Sequence, residues 1–495
     1  MLSLAAIPWA GAHRSPGSPA LRLDGEVLDY AALDRACSGV AAVLRRRGVN
    51  AGDRVALYCG NSLVAPAALY GALRLAAVAV PVSTASPPAE LAGLLRRLRA
   101  RLVVTDPEHA TACAQGLRLA ATGAARLVLD GDAESARGRV ALAALVEHPR
   151  TDPVPVPAGH PAVVLLTSGT TGTPRLAVHS HAGLLLNARS VAGEMLGLDD
   201  GDIQLGALPL AHSFAISAVL NASLLAGASV VVTRHFDAAA ALELIDGERV
   251  SVVQGVPTML VRLAAAARRR PPSLRLCVVS GAPLPEGAAT PLLQRLCATT
   301  LERYGMTEVS PLTVRRIPPG GGEPGDVGRP LSGVVVRTVG GAAEAELEAA
   351  SPTMFLGYDG DRRATAAALR DGFFRTGDVG RVGADGRVHL SGRAKDVIVR
   401  GGNNVAAREV ERVLEAHPDV VEAAVVGVPD ADLGEEVAAA VVVRRGGERV
   451  LDELSHRCTE QLAAYKRPRR WLLVASLPRT VSGKVLKDEV RRALS

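Results

Sequence analysis

The first third of the chain alternates between short apolar runs and longer amphipathic patterns. The apolar runs are rich in Val, Leu and Ala, as buried strands are, and the longer patterns repeat every three or four positions, as helices do. This order of strand and helix predicts an α/β fold with largely parallel sheets. The predicted strands are 20–23, 53–58, 78–82 and 102–105, and the predicted helices run from Asp29 to about Arg47, up to about Ala77, and from Pro87 to about Arg101.

The alternation resumes after residue 160 and gains turn-rich segments where strands end. Strands are predicted at 162–166, 205–210, 229–232, 250–255 and 274–280, with helices beginning at Ala182, after Phe214 and at Asp237. In α/β sheets, ligands bind at loops that leave the carboxyl ends of strands. The segments 280–285 and 304–308 leave such ends, so we expect both to border a binding site.

The pattern changes twice in the last third of the chain. From about residue 320, short strands with Gly and Pro predict a small β subdomain. From about residue 396, a compact α/β unit is predicted, with helices at 407–417 and 452–462, strands at 420–427 and 437–443, and a short basic helix at the end. A chain of 495 residues exceeds what one hydrophobic core usually serves, so two or more domains are expected.

Composition excludes several classes of protein. With 48% hydrophobic residues and no apolar run near the roughly 20 residues of a membrane helix, the sequence predicts a soluble protein without a membrane partner. The first residues lack the basic start of a signal peptide, so the cytoplasm is the expected compartment. The net charge of +6 favours anionic partners, but 3% aromatic residues offer few surfaces for base stacking, and no nucleic acid partner is expected.

Cysteine and lysine are both used in an informative way. The six cysteines are scattered without a Cys-x-x-Cys pair, which predicts reduced, buried thiols rather than a zinc site or a disulfide framework.

Of 56 basic residues, only four are lysines: Lys395, Lys466, Lys484 and Lys487. In so Arg-rich a chain, a position that keeps Lys is a candidate for chemistry that needs a compact ammonium group.

A polar loop follows the apolar run 162–166. Residues Thr167 to Thr173 are all Thr, Ser or Gly, and Pro174, Arg175 and Leu176 come next. Glycines allow a ligand to approach the backbone, and successive N–H groups and hydroxyls can cradle phosphate oxygens. The spacing is not that of a Walker loop, and an ordinary polar connection has the same composition. These residues alone therefore leave both interpretations open.

Five sequence blocks stand in one order along the chain. They are T-S-G-T-T-G (Thr167–Gly172), Y-G-M-T-E (Tyr304–Glu308), T-G-D (Thr376–Asp378), G-R-A-K-D (Gly392–Asp396) and P-R-T-V-S-G-K (Pro478–Lys484). Together they resemble the adenylate-forming superfamily, which includes acyl-CoA synthetases, luciferases and peptide-synthetase adenylation domains. The resemblance extends from about residue 19 to the end. Each block alone is weak, whereas the shared order and spacing are specific.

The resemblance implies two domains with the active site between them. A large N-terminal domain at 1–393 would contain parallel-rich sheets plus the β subdomain, and a small mobile C-terminal α/β domain would follow at 394–495. Lys395 would lie at the hinge, with a lysine in a boundary salt bridge as the alternative. The implied reaction converts a carboxylate and Mg·ATP to an acyl-adenylate and pyrophosphate. The acyl group then passes to a thiol, commonly that of coenzyme A.

The resemblance also implies which residues bind the nucleotide. The phosphates would be held by Thr167, Ser168, Gly169, Thr170, Thr171, Gly172 and Arg175. Asp378, backed by Arg393, would accept the ribose hydroxyls, because a carboxylate has the acceptors for both. Around the adenine, the implied contacts are Ala282, Tyr304, Gly305 and Met306.

Four residues are implied to act on the reacting groups. Thr307 would reach the α-phosphate, and Glu308 would hold Mg²⁺, a hard cation that prefers oxygen ligands. Lys484 would bridge the carboxylate and phosphate in the transition state, with a solvated surface lysine as the alternative. His212 would flank the acid and the thiol tunnel, and a hydrogen-bonded core histidine is its alternative.

The acyl and thiol sides of the site are less specified. Amino-acid-activating relatives carry an Asp after the Phe at a position like Phe214, and here Ala215 follows, so an α-amino acid is not expected. The mostly apolar pocket wall favours a hydrophobic acyl group. By resemblance, Gly401 and Gly402 would let the pantetheine arm of coenzyme A pass close to the backbone.

One departure from the family affects the prediction of activity. Arg175 and Leu176 stand where Lys and Gly are usual, and Gly is the residue that permits positive φ. The predicted function is an acyl-CoA synthetase that uses ATP, Mg²⁺ and coenzyme A on a small-molecule, non-amino carboxylic acid. Open alternatives are a ligase that loads an acyl carrier protein, an enzyme that only forms thioesters from a supplied acyl-adenylate, and a non-catalytic nucleotide binder. A homodimer also stays open.

Overall fold

A computed structural model describes residues 3–129, 139–167, 174–284, 287–297, 299–319, 322–400, 403–430, 432–445, 447–479 and 485–495. Within these ranges, no helix is both long enough and apolar enough to cross a membrane.

The strands that the structure describes are β1 (Pro19–Leu23), β2 (Glu26–Asp29), β3 (Arg54–Tyr58), β4 (Val78–Pro81), β5 (Leu102–Thr105), β6 (Ala125–Leu129), β7 (Arg139–Val140), β8 (Pro161–Thr167), β9 (Arg175–Ser180), β10 (Ile203–Gly206), β11 (Ser229–Val232), β12 (Val252–Gly255), β13 (Leu276–Val279), β14 (Thr300–Tyr304), β15 (Thr313–Arg316), β16 (Asp326–Pro330), β17 (Val335–Thr338), β18 (Ala345–Ala350), β19 (Gly357–Tyr358), β20 (Leu369–Arg370), β21 (Phe373–Val382), β22 (Val388–Arg393), β23 (Val397–Arg400), β24 (Asn403–Ala406), β25 (Val420–Asp430), β26 (Gly434–Val443) and β27 (Arg470–Leu473).

The α-helices are α1 (Ala6–Arg14), α2 (Tyr30–Arg46), α3 (Val64–Arg74), α4 (Pro88–Leu98), α5 (Ala110–Ala120), α6 (Leu142–Val146), α7 (His181–Arg189), α8 (Ala222–Ala226), α9 (Ala238–Gly247), α10 (Pro257–Ala266), α11 (Ala289–Pro291), α12 (Arg362–Ala368), α13 (Ala407–Glu415), α14 (Glu448–Gln461) and α15 (Lys487–Leu494). Segments with π-helical hydrogen bonding cover Ser190–Met195, Ala215–Asn221 and Leu292–Leu296, and short 3₁₀ turns cover Val339–Gly341, Ala394–Asp396 and Ala464–Lys466.

The largest sheet combines a parallel half with an antiparallel half. Its order is β17-β18-β21-β22-β16-β15-β14-β13-β12-β10-β11-β1-β2. The strands from β14 to β1 run parallel, and the neighbours from β14 to β17 run antiparallel. The β subdomain predicted from about residue 320 therefore continues the hydrogen-bond ladder of the parallel sheet.

A second sheet has the order β19-β9-β8-β4-β3-β5-β6-β7. Neighbouring strands from β7 to β8 are parallel, and β9 runs antiparallel to both β8 and β19. Asp29 caps α2 by accepting a hydrogen bond from the Ala32 N–H at 2.6 Å, as its position before the helix predicts.

Helices pack between the two sheets and on their outer faces. Residues of α2 and α3, such as Leu33, Val40 and Leu69, share one buried cluster with Leu21 of the first sheet and Val55 of the second. The outer face of the first sheet is covered by α9 and α10, and that of the second sheet by α4 and α5. This alternation of layers confirms the predicted α/β class with parallel-rich sheets.

Residues after Asp396 form a third sheet with its own buried clusters. The order is β24-β23-β26-β25, with β27 added to β26. Two apolar clusters lie against it, and their members all belong to residues 398–494. The domain bounds 1–393 and 394–495 and the hinge at Lys395 stay predictions.

Several predicted elements differ from the observed ones. The strand predicted at 205–210 ends at Gly206, and the helix predicted to reach Arg101 ends at Leu98, since Arg99 adopts left-handed backbone angles. The sequence interpretation missed α1, α5 and α10. The six cysteines are free and buried, as predicted.

Candidate active site

The candidate site lies where three neighbouring parallel strands end. Because β12, β13 and β14 are parallel and adjacent, the residues that follow them meet at one edge of the sheet. These residues are Val256, Ser280–Ala282 and Gly305–Glu308. The two turn-rich segments predicted to border a site therefore leave adjacent strand ends.

Asp378 lies between two predicted site residues. The Tyr304 hydroxyl donates a hydrogen bond to Asp378 Oδ2 at 2.6 Å, and Arg393 Nε lies 2.9 Å from Oδ1. Asp378 and Arg393 are direct partners across β21 and β22. Burial, followed by the Asp378 charge, raises the pKa of Tyr304 well above its usual value, so the hydroxyl stays a donor. The result is a buried carboxylate backed by a guanidinium.

Glu308 is held by a residue that the sequence interpretation missed. The Tyr358 hydroxyl donates to Glu308 Oε1 at 2.7 Å, and the Phe355 N–H donates to the Glu308 carbonyl at 2.8 Å. The Arg175 guanidinium carbon lies 5.1 Å from the centre of the Tyr358 ring. No local sequence pattern indicates Tyr358, because its contact with Glu308 depends on the pairing of β19 with β9 and on the bond from Phe355 to Glu308, which join segments far apart in the chain.

Thr307 lies next to the segment that contains His212. Its hydroxyl oxygen lies 3.5 Å from the Ser213 hydroxyl oxygen, in the segment that also contains His212 and Phe214. His212 is half-buried at the turn that precedes the π-helical segment, where the Ile216 N–H donates to its carbonyl at 3.2 Å. The predicted positions of His212 and Thr307 therefore come together in the fold.

His179 is buried next to Thr307 and was not predicted. Desolvation lowers its pKa to about 4, and the Thr307 backbone opposes only a part of that shift. Neither ring nitrogen makes a hydrogen bond of ordinary geometry with a described residue. The ring is therefore neutral at pH 7 and fills space next to the Thr307 backbone.

Arg303 is a buried cation with unused donors. Its guanidinium lies over the Phe214 ring, 4.5 Å from the ring centre, and Nη2 donates to Ser310 Oγ at 2.5 Å. The residue is 5% exposed, and Nε and Nη1 meet no acceptor among the described residues. Burial lowers its pKa to about 10, so it is charged at pH 7. Phe214 belongs to the predicted acyl pocket wall, and this places a positive charge behind that wall.

The predicted phosphate loop lies largely outside the described residues, as do Gly401, Gly402 and Lys484. Its described ends are Thr167, the last residue of β8, and Arg175, the first of β9, which face each other in the antiparallel register. Leu176 follows in β9, where it is buried and pairs with Leu166. Leu176 has strand geometry and no positive φ, so its backbone is not strained by the missing glycine, and the effect of this departure on adenylation stays a prediction. Ser168, Gly169, Thr170, Thr171 and Gly172 remain predicted ligands only.

The remaining predicted residues take varied positions. Ala282 is exposed after Gly281, whose φ is +90°. Gly305 packs so tightly that an added Cβ would lie 3.0 Å from the Ser310 hydroxyl oxygen, and the Met306 N–H donates to the Val309 carbonyl at 3.0 Å.

Among the described residues, no group of three or more His, Cys, Asp or Glu side chains could hold a metal by themselves. A Mg²⁺ ion at Glu308 would take its other ligands from phosphate and water, which is how Mg²⁺ is commonly bound.

Two of the four lysines have structural partners. Lys466 Nζ lies 2.7 Å from Glu409, and Lys487 Nζ lies 2.6 Å from Glu411. Lys395 is exposed in the 3₁₀ turn between β22 and β23. Retention of Lys in this Arg-rich chain is therefore not by itself evidence for catalysis.

Comparison with known proteins identifies the class to which this fold and site belong. Residues 9–358 match the AMP-binding enzyme family, and residues 409–484 match the AMP-binding enzyme C-terminal domain. The chain belongs to this family of AMP-forming acid–thiol ligases.

Individual relatives cover nearly the whole chain. Feruloyl-CoA synthase from Amycolatopsis sp is 37% identical and covers 98% of both chains. Sulfoacetate–CoA ligase from Cupriavidus necator is 32% identical and covers 98% of this chain and 96% of its own. ATP-bound MatB from Rhodopseudomonas palustris has a TM-score of 0.88 at 32% identity, with 99% of this chain and 98% of that chain covered.

Proposed function

We propose that this chain carries out both half-reactions of an acyl-CoA synthetase on a non-amino carboxylic acid. The observation that supports this best is the arrangement of Tyr304, Asp378 and Arg393 at the sheet edge that also holds Glu308. A buried carboxylate with a guanidinium behind it suits a pair of sugar hydroxyls. A carboxylate held by one hydroxyl suits Mg²⁺ that is bound mainly through phosphates.

In the first half-reaction, a carboxylate oxygen of the acid attacks the α-phosphorus of ATP. The bond to the β-phosphate breaks, and pyrophosphate leaves. Such a displacement depends on positioning and on stabilisation of charge at the phosphate oxygens. We assign Asp378 and Arg393 to the ribose, Thr307 to the α-phosphate and Glu308 to Mg²⁺. When bound, Mg²⁺ neutralises charge on the phosphates.

In the second half-reaction, the sulfur of coenzyme A attacks the acyl carbon, AMP leaves, and the thiol proton passes to solvent. We assign His212 to the side of the acyl group, because its segment reaches Thr307 through Ser213. The phosphate loop, Gly401, Gly402 and Lys484 keep the roles that the family resemblance implies, as predictions.

The test follows the half-reactions separately. Pyrophosphate release is measured with ATP, Mg²⁺ and a panel of acids, and thioester formation is measured with coenzyme A. Preformed acyl-adenylates are offered in parallel. Both products from one acid would support a complete synthetase, and thioester from an adenylate without pyrophosphate from any acid would leave only the second half-reaction.

Variants connect that test to the site. Asp378→Asn should weaken ATP binding about tenfold or more, since hydrogen bonds to a charged group are lost. Asp385→Asn, at an exposed turn, serves as the control. Equal ATP affinity in both variants would contradict the assignment of Asp378.

The thiol acceptor is decided by a separate comparison. A ligase that loads an acyl carrier protein would release pyrophosphate but leave coenzyme A unacylated. A purified carrier protein with its phosphopantetheine arm is therefore offered against coenzyme A at equal concentration. Faster acylation of coenzyme A supports the proposal, and acylation of the carrier alone overturns it.

Arg303 supports a narrower statement about the acid. A buried cation without an anionic partner is costly, and an acyl group that carries a distal anion would supply one. We therefore infer that the preferred acid has a second anionic or strongly hydrogen-bond-accepting group, in contrast to the hydrophobic acyl group predicted from the sequence. The relatives named above include a ligase for sulfoacetate as well as one for ferulate.

A further inference from the structure

Tyr358 contacts both Glu308, which the proposed function assigns to Mg²⁺, and Arg175, which the family resemblance implies for the phosphates. It ends β19, whose residues Gly357 and Tyr358 pair with Val178 and Ala177 of β9. The strand β9 leaves the predicted phosphate loop, and Arg175 is its first residue. Tyr358 is 7% exposed, so its ring has little freedom to move.

The segment around Tyr358 is tied to both neighbours by backbone hydrogen bonds. The Phe355 N–H donates to the Glu308 carbonyl at 2.8 Å, and the Leu356 N–H donates to the Val178 carbonyl at 2.7 Å. Beyond the tyrosine, the Asp359 N–H donates to the Leu176 carbonyl at 2.8 Å, and Arg54 lies 2.8 Å from the Asp359 carboxylate. These backbone hydrogen bonds thus fix the position of the Tyr358 Cα atom, from which the side chain extends.

The side chain completes the link. The hydroxyl donates to Glu308 Oε1 at 2.7 Å, and the Arg175 guanidinium carbon lies 5.1 Å from the ring centre. A hydrogen bond from a neutral donor to a carboxylate holds one of its oxygens in place. The second oxygen, Oε2, is then directed by the same bond rather than by free rotation of the side chain.

We propose that Tyr358 is a positioning residue that orients the Glu308 carboxylate for Mg²⁺ in the adenylation half-reaction, and that Arg175 steadies the ring. This proposal rests on the proposed role of Glu308. It gives Arg175, which stands where Lys is usual, a role in adenylation: the guanidinium holds the Tyr358 ring in place. Loss of the Tyr358 hydroxyl should affect adenylation, the half-reaction that uses Mg²⁺. Thioester formation should be spared, because it starts from an acyl-adenylate and breaks no bond between phosphates.

The test compares Tyr358→Phe with Tyr465→Phe, which removes a hydroxyl from the C-terminal part of the chain. For Tyr358→Phe, we expect the Mg²⁺ concentration at half-maximal pyrophosphate release to rise about tenfold, the size of a lost hydrogen bond to a charged group. Thioester formation from a preformed acyl-adenylate should change by less than about twofold, the precision with which independent sites behave additively. Tyr465→Phe should match the wild type in both.

A binding measurement separates positioning from general damage. Calorimetry with a non-hydrolysable ATP analogue, with Mg²⁺ and with EDTA, gives the contribution of the metal to affinity. That contribution should shrink in Tyr358→Phe while affinity in EDTA is unchanged. In a Glu308→Gln background, the tyrosine substitution should have no further effect.

Several outcomes would overturn the proposal. One is an unchanged Mg²⁺ dependence in Tyr358→Phe, and another is an equal loss in both half-reactions. If Tyr358→Phe lowers thermal stability too far for assay, Arg175→Gln replaces it, and an Mg²⁺ dependence identical to the wild type then counts against the proposal. Absence of pyrophosphate release from the wild type itself would instead refute the proposed function.

Discussion

Arg303 combines burial, a positive charge and two nitrogens without acceptors among the described residues. Stacking on Phe214 and one bond to Ser310 compensate for only a part of its desolvation. Its guanidinium stacks on Phe214, a residue of the predicted acyl pocket wall, so an acyl group bound against Phe214 would lie near its charge. Under the proposed function, Arg303 is therefore the candidate residue for selection among acids.

Replacing Arg303 by Met should change the choice of acid. We expect kcat/KM for acids with a distal carboxylate or sulfonate to fall at least about tenfold, since a charged hydrogen bond is removed. Neutral acids of the same length should be unaffected or improved. Steady-state kinetics over paired acids measures this, with Arg316→Met at an exposed site as the control. Equal losses for neutral and anionic acids would remove Arg303 from substrate selection.

The family departure at position 176, where Leu stands in place of the usual Gly, can be tested by restoring the glycine. Because Leu176 is buried in β9 against Leu166, Leu176→Gly should lower the free energy of unfolding by about 3–5 kcal/mol through lost packing. Restoring the usual family residue should not speed pyrophosphate release. Urea unfolding and a pyrophosphate assay, with Arg175→Lys beside it, measure both effects. Faster release from Leu176→Gly would support the idea of an impaired first half-reaction.

Sequence alone predicted Asp378, Arg393, Tyr304, Thr307 and Glu308 as neighbours, because the family motifs keep their order. Tyr358 was missed, and the charge of Arg303 could not be placed, for a physical reason. Their partners are set by strand pairing and by packing between segments far apart in the chain, such as β19 against β9. No local periodicity records such contacts.

At the scale of elements, the missed helices show where hydrophobic pattern fails. The buried face of α5 consists of small residues, and a Cβ added at Gly116 would lie 2.7 Å from Leu91 of α4. Such close packing needs small side chains, so the buried face of α5 lacks the large apolar residues that mark a helix stripe in a sequence. The start of α10 has Pro257 at its first position, a helix signal that the sequence interpretation did not use.

The strand β9 also predicts a pH dependence. Burial lowers the pKa of His179, and likewise of His181 just after the strand, to about 4 from an ordinary value near 6.5. The unfolded chain therefore binds protons that the folded chain does not, and stability present above about pH 6.5 is lost as the pH falls. Between pH 7 and pH 5, the lowered pKa of each histidine should reduce the free energy of unfolding by on the order of 2 kcal/mol.

Urea unfolding at pH 7 and pH 5 measures this loss. In His179→Leu, the difference between the two pH values should shrink by about one histidine's share. His235→Leu, at an exposed position, should leave it unchanged. A pH difference as large in His179→Leu as in the wild type would show that this ring is protonated in the folded chain.

At the scale of the whole molecule, the 3₁₀ turn Ala394–Asp396 connects the large sheet to the C-terminal sheet. The proposed hinge requires this turn to change its backbone angles between half-reactions. Lys395→Pro would fix one of those angles. Lys395→Ala removes the ammonium but leaves the backbone free.

If the hinge is at Lys395, the proline variant should retain one half-reaction and slow the other at least about tenfold, as expected for a gating motion. Single-turnover measurements of pyrophosphate and thioester give the two rates, and the alanine variant should resemble the wild type in both. Uniform loss in both half-reactions of the proline variant would place the pivot elsewhere.

The burial of all six thiols has a practical consequence for following such a motion. A maleimide dye added to the folded chain would find no native thiol at the surface, because the most exposed of them, Cys59, is 8% exposed. One cysteine introduced on each side of Ala394–Asp396 would then carry a fluorophore pair without removal of any native residue. Energy transfer between the two dyes would report the distance between the large and small sheets as each substrate binds.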